Sequence, residues 1–254
     1  MTSYHGGKQR IGKVLAEVIY DVATEVADED DFEIKGYCEP FCGMLGVYQH
    51  IPELFGMDGV DIKYKAGDIN CSTIKMWKRA QKGWKPPTSC TRREHSDLKN
   101  HKRSSAVKGF VGHACSFGGQ YFGAYKTRGS NHVASQSDKV VRVAKEVKDV
   151  DFTCGEYTQF SHLRGYVIYC DPPYAATESR YYDEGSHRRS FDTPKFNSWC
   201  EQMTECGNLV FVSEYTQPKY STTVWSKDSK AAVHHGGLAK GSERLFLIDQ
   251  ESFR

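Results

Sequence analysis

The tightest constraint on the fold is the segment YVIYCDPPY. Five uncharged residues, Tyr166 to Cys170, run directly into Asp171-Pro172-Pro173-Tyr174. A short, continuous apolar run rich in aromatic and β-branched side chains predicts a strand buried on both faces, as in a parallel sheet. Two consecutive prolines then fix φ and remove two backbone donors, so the strand has to stop there. The corner that remains offers acceptors, the Asp171 carboxylate and the Pro172 carbonyl, beside an aromatic ring at Tyr174. That set suits an exocyclic amine. Two acceptors facing an NH2 group draw its hydrogens out of the base plane and localise the nitrogen lone pair, while the ring stacks on the base.

The rest of the chain supplies what such a strand needs around it. Ile11, Val14, Leu15, Val18, Ile19, Val22 and Val26 recur at spacings of three and four, which predicts a helix over 10–26 ended by the acidic patch Asp28 to Asp31. Gly36 to Phe41 reads as a short buried strand entering a glycine-containing turn at Cys42 to Gly46. A second strand is predicted over Ile62 to Ala66, closed by Gly67-Asp68, with Ser72 to Ala80 helical after it. Asp138 to Lys148 reads as a helix, and Leu209 to Val212 and Arg244 to Ile248 as further strands. Strands this widely spaced and separated by helices predict an α/β fold with a mostly parallel, Rossmann-like sheet. Ligand sites in such sheets lie at the carboxyl ends of the strands.

Charge is unevenly placed. From Lys75 to Lys148, 17 Lys and Arg stand against 4 Asp and Glu, a local balance of +13, while the other 180 residues carry −11. A basic block with Trp77, Trp84, Phe110, Phe117, Tyr121, Phe122 and Tyr125 interleaved fits a polyanion-binding insert, since neutralising phosphates releases counterions and aromatic rings can stack on bases. The expected organisation is therefore a catalytic domain over 1–74 and 149–254, with an inserted DNA-binding, target-recognition region over 75–148. Nine scattered cysteines without a C-x-x-C pair predict reduced thiols in a reducing compartment, and no spacing resembles a zinc site, so no metal is expected. The longest apolar runs fall far short of a membrane span, and the polar stretch after Met1 is unlike an export signal. A cytoplasmic, DNA-associated protein is expected.

Several segments, in order, resemble the Dam-type DNA adenine-N6 methyltransferases, a class I family that uses S-adenosyl-L-methionine and carries an Asp-Pro-Pro-Tyr motif. Tyr4-His5-Gly6-Gly7-Lys8 is similar to the family's aromatic-x-Gly-x-Lys segment, which implies cofactor contacts from Tyr4, Gly7 and Lys8. Glu39-Pro40-Phe41-Cys42-Gly43 resembles the strand-turn that cradles the cofactor's methionine part, implicating Phe41, Cys42 and Gly43. Gly67-Asp68-Ile69-Asn70 resembles the segment whose aspartate, here Asp68, binds the ribose hydroxyls. Phe152 to Tyr157 is similar to the segment that lies against the cofactor's adenine through Tyr157. YVIYCDPPYA is the closest match, and it implies Asp171, Pro172, Pro173 and Tyr174 as catalytic residues, with Asp171 also beside the cofactor. The anchors run from Tyr4 to about Val212.

What the resemblance implies is site-specific methyl transfer from S-adenosylmethionine to the amino group of adenine in double-stranded DNA after base flipping, with DNA contacts from Tyr121, Phe122, Lys126 and Arg128. A restriction endonuclease counterpart is a partner such an enzyme can have. Amino methylation of cytosine and a catalytically inactive DNA-binding homologue are the alternatives. Carbon-5 cytosine methylation needs a Pro-Cys nucleophile, which the chain lacks, and a nicotinamide enzyme would need a G-x-G-x-x-G, also missing. The pattern departs from the family at two places. Leu45 stands where many members have a second glycine, and Phe122 stands about where members reading GATC have an arginine, so GATC specificity is not implied.

Overall fold

The computed structural model describes residues 8–30, 32–57, 59, 61–126, 131–173, 181–182, 188–189, 191–229 and 241–249. Its centre is a seven-stranded sheet. The strands are β1 (Gly36–Glu39), β2 (Lys63–Asp68), β3 (Asp151–Cys154), β4 (Tyr166–Cys170), β7 (Leu209–Glu214), β8 (Ser221–Ser229) and β9 (Gly241–Ile248), while β5 (Tyr181–Tyr182) and β6 (Arg188–Arg189) pair separately. Across the sheet the order is β3-β2-β1-β4-β7-β9-β8. The β3–β2, β2–β1, β1–β4 and β4–β7 pairs are parallel, and β9 runs antiparallel to both β7 and β8. The chain reverses its direction of travel across the sheet between β1 and β4, which is where open α/β sheets form their ligand crevice.

Alternation along the strands divides the core between the two faces. Val167 and Tyr169 of β4 join Tyr37 and Phe211 on one face, where α1 (Gly12–Glu29), α3 (Cys71–Gln81), α5 (Ala106–Ala114) and α6 (His132–Glu146) pack. Ile168 and Cys170 join Cys38, Val210 and Val212 on the other, under a 3-10 turn at Tyr157–Phe160 and α7 (Thr193–Glu205). Each fully buried large side chain of this kind contributes about 1.5–3 kcal/mol, so strand β4, buried at all five positions, is firmly anchored in the sheet.

The helices start where the local chemistry directs. Asn70 caps α3 by accepting from the N–H groups of Ser72 and Thr73. Thr91 and Glu94 form a capping box on α4 (Arg92–Asn100), Ser105 caps α5, and Asp192 caps α7 with Pro194 in its first turn. A short α2 (Ile51–Met57) follows the β1 turn.

Two expectations change, the buried face of α1 and the state of the cysteines, and two further features come only with the structure. The buried face of α1 is formed by Gly12, Leu15, Ala16, Ile19 and Ala23, so Val14 points outward at 43% exposure and Val18, Val22 and Val26 are only half-buried. The face rotates because α1 approaches the β1 turn closely: a Cβ at Gly12 would lie 2.0 Å from the Gly46 carbonyl oxygen. Strand β8, STTVWSKDS, had no apolar run to reveal it and sits at the sheet edge, where polar residues are favoured. Residues 75–148 share the core of the sheet domain through Met76, Trp77, Phe110, Val111, Val140 and Val143, and Trp77 stacks on Phe152 of β3. Finally, the thiols are not all reduced. Cys71 and Cys154 are bonded, their Cα atoms 5.0 Å apart, because the parallel pairing of β2 with β3 brings the residues after one strand beside the end of the other.

Candidate active site at the carboxyl ends of the strands

The described candidate residues converge along one edge of the sheet. At the end of β2, the Asp68 carboxylate accepts from the Gly43 N–H at 3.0 Å and the Asn70 N–H at 2.8 Å. The Cys42 N–H donates to the Gly67 carbonyl at 2.8 Å, so the turn after β1 is laced to β2. The Gly155 N–H reaches the Asp68 carbonyl at 3.1 Å and brings the residues after β3 alongside. Burial pushes the Asp68 carboxyl up from its ordinary range, and the two N–H bonds oppose that shift. Capping of α3 falls to Asn70, leaving Asp68 to organise the β1 turn.

The turn itself answers the departure at Leu45. Leu45 is fully buried and adopts a left-handed φ of 55°, a conformation that costs a side-chain-bearing residue about 1–2 kcal/mol. The glycine one position later has a different task. A Cβ on Gly46 would come within 3.2–3.3 Å of the Lys8 backbone, so Gly46 is the seat on which the segment carrying Lys8 rests.

Lys8 is the residue that joins this seat to the β4 corner. Its side chain is 3% exposed, and its Nζ lies 2.7 Å from Asp171 Oδ1 and 3.1 Å from Glu243 Oε1. Burial alone would lower the lysine pKa, but the Asp171 and Glu243 carboxylates together hold it above the ordinary value. Asp171 stands directly after β4, with Pro172 buried and Pro173 half-buried behind it. Below the corner, Glu39 accepts from the Tyr37 hydroxyl at 2.8 Å, and Tyr169 bonds Ser213 at 2.9 Å. Burial drives the Glu39 carboxyl well up; the Tyr37 bond opposes this, and the charge of Asp171 adds to it. Phe41 and Tyr157 meet with ring centroids 5.6 Å apart, in a cluster with Phe191, Phe196 and Trp199.

Lys8, Phe41, Cys42, Gly43, Asp68, Tyr157 and Asp171 are thus brought together, whereas Tyr4, Gly7, Tyr174 and Arg128 lie outside the described residues. The DNA-contact candidates divide. Lys126 is exposed, its Nζ 4.5 Å from the ring centre of Phe117, which is itself 58% exposed; Arg92 lies over Tyr125 at 5.1 Å. Phe122, by contrast, is 6% exposed and packs on His95 and Tyr121. The reason is Gly112 on α5, whose missing Cβ leaves the space that the Tyr121 and Phe122 rings fill. Phe122 is therefore a core residue of the helical layer, and Tyr121 is half-buried beside it.

Sequence reasoning missed Glu243. Its one outward signal is an acid at the head of the apolar run Leu245 to Ile248, and the antiparallel course of β9 is what carries it to the carboxyl ends of the parallel strands.

The residues present fit a nucleoside-bearing cofactor. A carboxylate offers about four acceptor positions, and the two backbone bonds leave Asp68 with acceptor capacity for a diol. Beside it, against Gly67 and Gly155, the enclosed Gln159 Nε2 has no hydrogen-bond partner among the described residues, a donor that a ligand could satisfy. Among the described residues no group of three His, Cys, Asp or Glu is placed to hold a metal ion.

Residues 115–236 match the model of the family described as D12 class N6 adenine-specific DNA methyltransferase. The match includes Asp171 to Tyr174 and excludes the segments around Lys8, Phe41 and Asp68. No curated protein matches the chain. Among solved structures, a proposed methyltransferase of Escherichia coli aligns at 8% identity over 92% of this chain and 86% of its own, with a TM-score of 0.37. A proposed RNA methyltransferase of Pyrococcus horikoshii aligns at 9% identity over 91% and 82%, with a TM-score of 0.39.

Proposed function

We infer that this chain, which is similar over residues 115–236 to the D12 class of N6 adenine-specific DNA methyltransferases, transfers a methyl group from S-adenosyl-L-methionine to the N6 amine of adenine in duplex DNA. The observation that carries this reading is the Asp171 carboxylate, fixed at the end of a fully buried strand before two prolines and bonded on one oxygen by a buried ammonium. A carboxylate so placed, with the Pro172 carbonyl beside it, is of the acceptor chemistry that suits the hydrogens of an amine. The chain need not supply a strong base: holding the amine in line with its electrophile accounts for most of the acceleration. S-adenosylmethionine, when bound, supplies the methyl group as part of a sulfonium.

The residues suited to hold the cofactor are Asp68 for the ribose hydroxyls, Phe41, Cys42 and Gly43 in the β1 turn, and Tyr157 against its base, with Tyr4 and Gly7 as further candidates. An adenine inside a duplex cannot reach Asp171, so the base has to be extruded first, with Tyr174 as its stacking partner. Exposed cations such as Lys126 and Arg92 suit phosphates, which position a duplex without specifying its sequence. Such a substrate implies an intracellular location; no helix among the described residues is long and apolar enough to cross a membrane.

The test is transfer of tritium from labelled cofactor into mixed-sequence duplex DNA, followed by nucleoside analysis. Label in N6-methyladenine is the expected result. Label in N4-methylcytosine, whose amine the same acceptors fit, or no label at all, would overturn the assignment.

A further inference from the structure

Trp77 belongs to the basic block whose aromatic rings suit stacking on bases, yet the structure buries it at 1% exposure and aims its indole N–H at the turn after β1. We propose that Trp77 is a positioning residue for the cofactor: by donating to the Gly43 carbonyl, it holds that turn in the shape that receives S-adenosylmethionine. This rests on the cofactor reading given above.

The geometry carries the argument. Gly43 is held from both sides: its N–H donates to Asp68 Oδ2 at 3.0 Å, and its carbonyl accepts from Trp77 Nε1 at 2.9 Å. The first bond fixes the peptide plane before Gly43, and the second fixes the plane after it. Between them the residue has a left-handed φ of 43° and no side chain to restrict it, so the two bonds supply an order that glycine lacks by itself. A turn already fixed in its receiving shape spares the ligand the entropic cost of ordering it.

The sheet explains how α3 reaches the turn. Trp77 lies on the buried face of that helix, which starts directly after β2. Its ring stacks on Phe152 of β3, with 14° between the planes and 6.4 Å between the centroids, and this fixes the direction of the N–H. Strand β2 pairs with β1 on one side and β3 on the other, so an indole anchored on β3 spans β2 to meet the turn that leaves β1. A buried indole N–H ordinarily finds some acceptor. Here the acceptor is the carbonyl of a residue whose own N–H is bound by the carboxylate suited to the ribose, and that pairing gives the bond a task beyond packing.

Trp77→Phe tests the assignment, since it keeps an aromatic ring for Phe152 but removes the donor. In calorimetry without DNA, Kd for S-adenosylmethionine is expected to rise roughly threefold to tenfold, the worth of one hydrogen bond. KM for the cofactor rises by the same factor, whereas kcat at saturating cofactor and Kd for duplex DNA stay within about twofold, because the bond acts on cofactor binding alone. Met76→Ala is the control for packing: it truncates a fully buried side chain of the same helix, and it should lower stability while leaving the cofactor Kd within about twofold. A folded Trp77→Phe protein whose cofactor Kd rises by less than about threefold, or an equal rise with Met76→Ala, overturns the inference and leaves the cofactor reading standing. If Trp77→Phe does not fold, benzothienylalanine at position 77 decides, because its ring sulfur replaces the N–H at nearly the same size. A Kd raised about threefold or more then supports the inference, and a smaller rise overturns it. Failure of the wild-type chain to bind S-adenosylmethionine overturns the cofactor reading itself.

Discussion

Two aspartates stand at the carboxyl ends of β2 and β4 and are held by opposite means. Asp68 is fixed by backbone N–H groups from Gly43 and Asn70; Asp171 is fixed by the ammonium of Lys8. Backbone amides do not titrate, so the Asp68 corner is set by the shape of the main chain and by the Cys71–Cys154 bridge beside it. The Asp171 corner is set by charge, through a residue 163 positions away in sequence and a second acid on β9. A corner built on the main chain suits a ligand that only has to be held, whereas one built on charge suits a group whose electrons are rearranged. The two should therefore respond to different perturbations.

The largest expected effect is at the charged corner. Asp171→Asn keeps the shape and removes the charge, and kcat for methyl transfer should drop on the order of 10²–10³, with DNA retention in a mobility-shift assay unchanged. Turnover within a few-fold of wild type would mean that the amine is held elsewhere. At the other corner the covalent link comes first. The bridge closes a separation of 83 residues, so a reductant should lower stability by about 2–4 kcal/mol in urea unfolding. Cys154→Ser should show the same loss and no further response to reductant; a denaturation midpoint indifferent to reductant in the wild type would remove the bridge from the account.

Next in size is Asp68→Ala, which leaves the Gly43 and Asn70 N–H groups without their acceptor. A loss of about 1–3 kcal/mol in stability follows, with cofactor affinity in calorimetry down about tenfold or more and kcat at saturating cofactor nearly retained. A fall in kcat equal to that of Asp171→Asn would erase the distinction between the corners. The smallest effect belongs to neither. Lys126→Ala should reduce the slope of log DNA affinity against log salt by about one, without altering kcat at saturating DNA, and an unchanged slope would take Lys126 out of phosphate contact.

The legible parts of the molecule were those in which one short segment carries its own reason. Tyr166 to Cys170 is buried at every position, as a continuous apolar run requires, and the prolines end it. Other features needed the assembled sheet. The pairing of Lys8 with Asp171 spans most of the chain, and only resemblance put the two in one site. Glu243 depends on β9 running against its neighbours, which an apolar run cannot announce. Strand β8 carries Thr, Ser, Lys and Asp because it lies at an edge, and its two apolar residues packed on the core, Val224 and Trp225, are too few to read as a strand. Phe122 has the composition of a base-stacking residue, yet the space above Gly112 claims it for the core. The cysteines misled for the same reason, since Cys71 and Cys154 become neighbours only through parallel strand pairing.

The most direct test of the central claim is single-molecule sequencing of DNA from cells expressing either the wild-type chain or Asp171→Asn, which reports the modified base and its context together. The account predicts N6-methyladenine in a defined sequence context with the wild type and its disappearance with the variant. Methylation confined to cytosine, or adenine methylation that persists undiminished with Asp171→Asn, would contradict it.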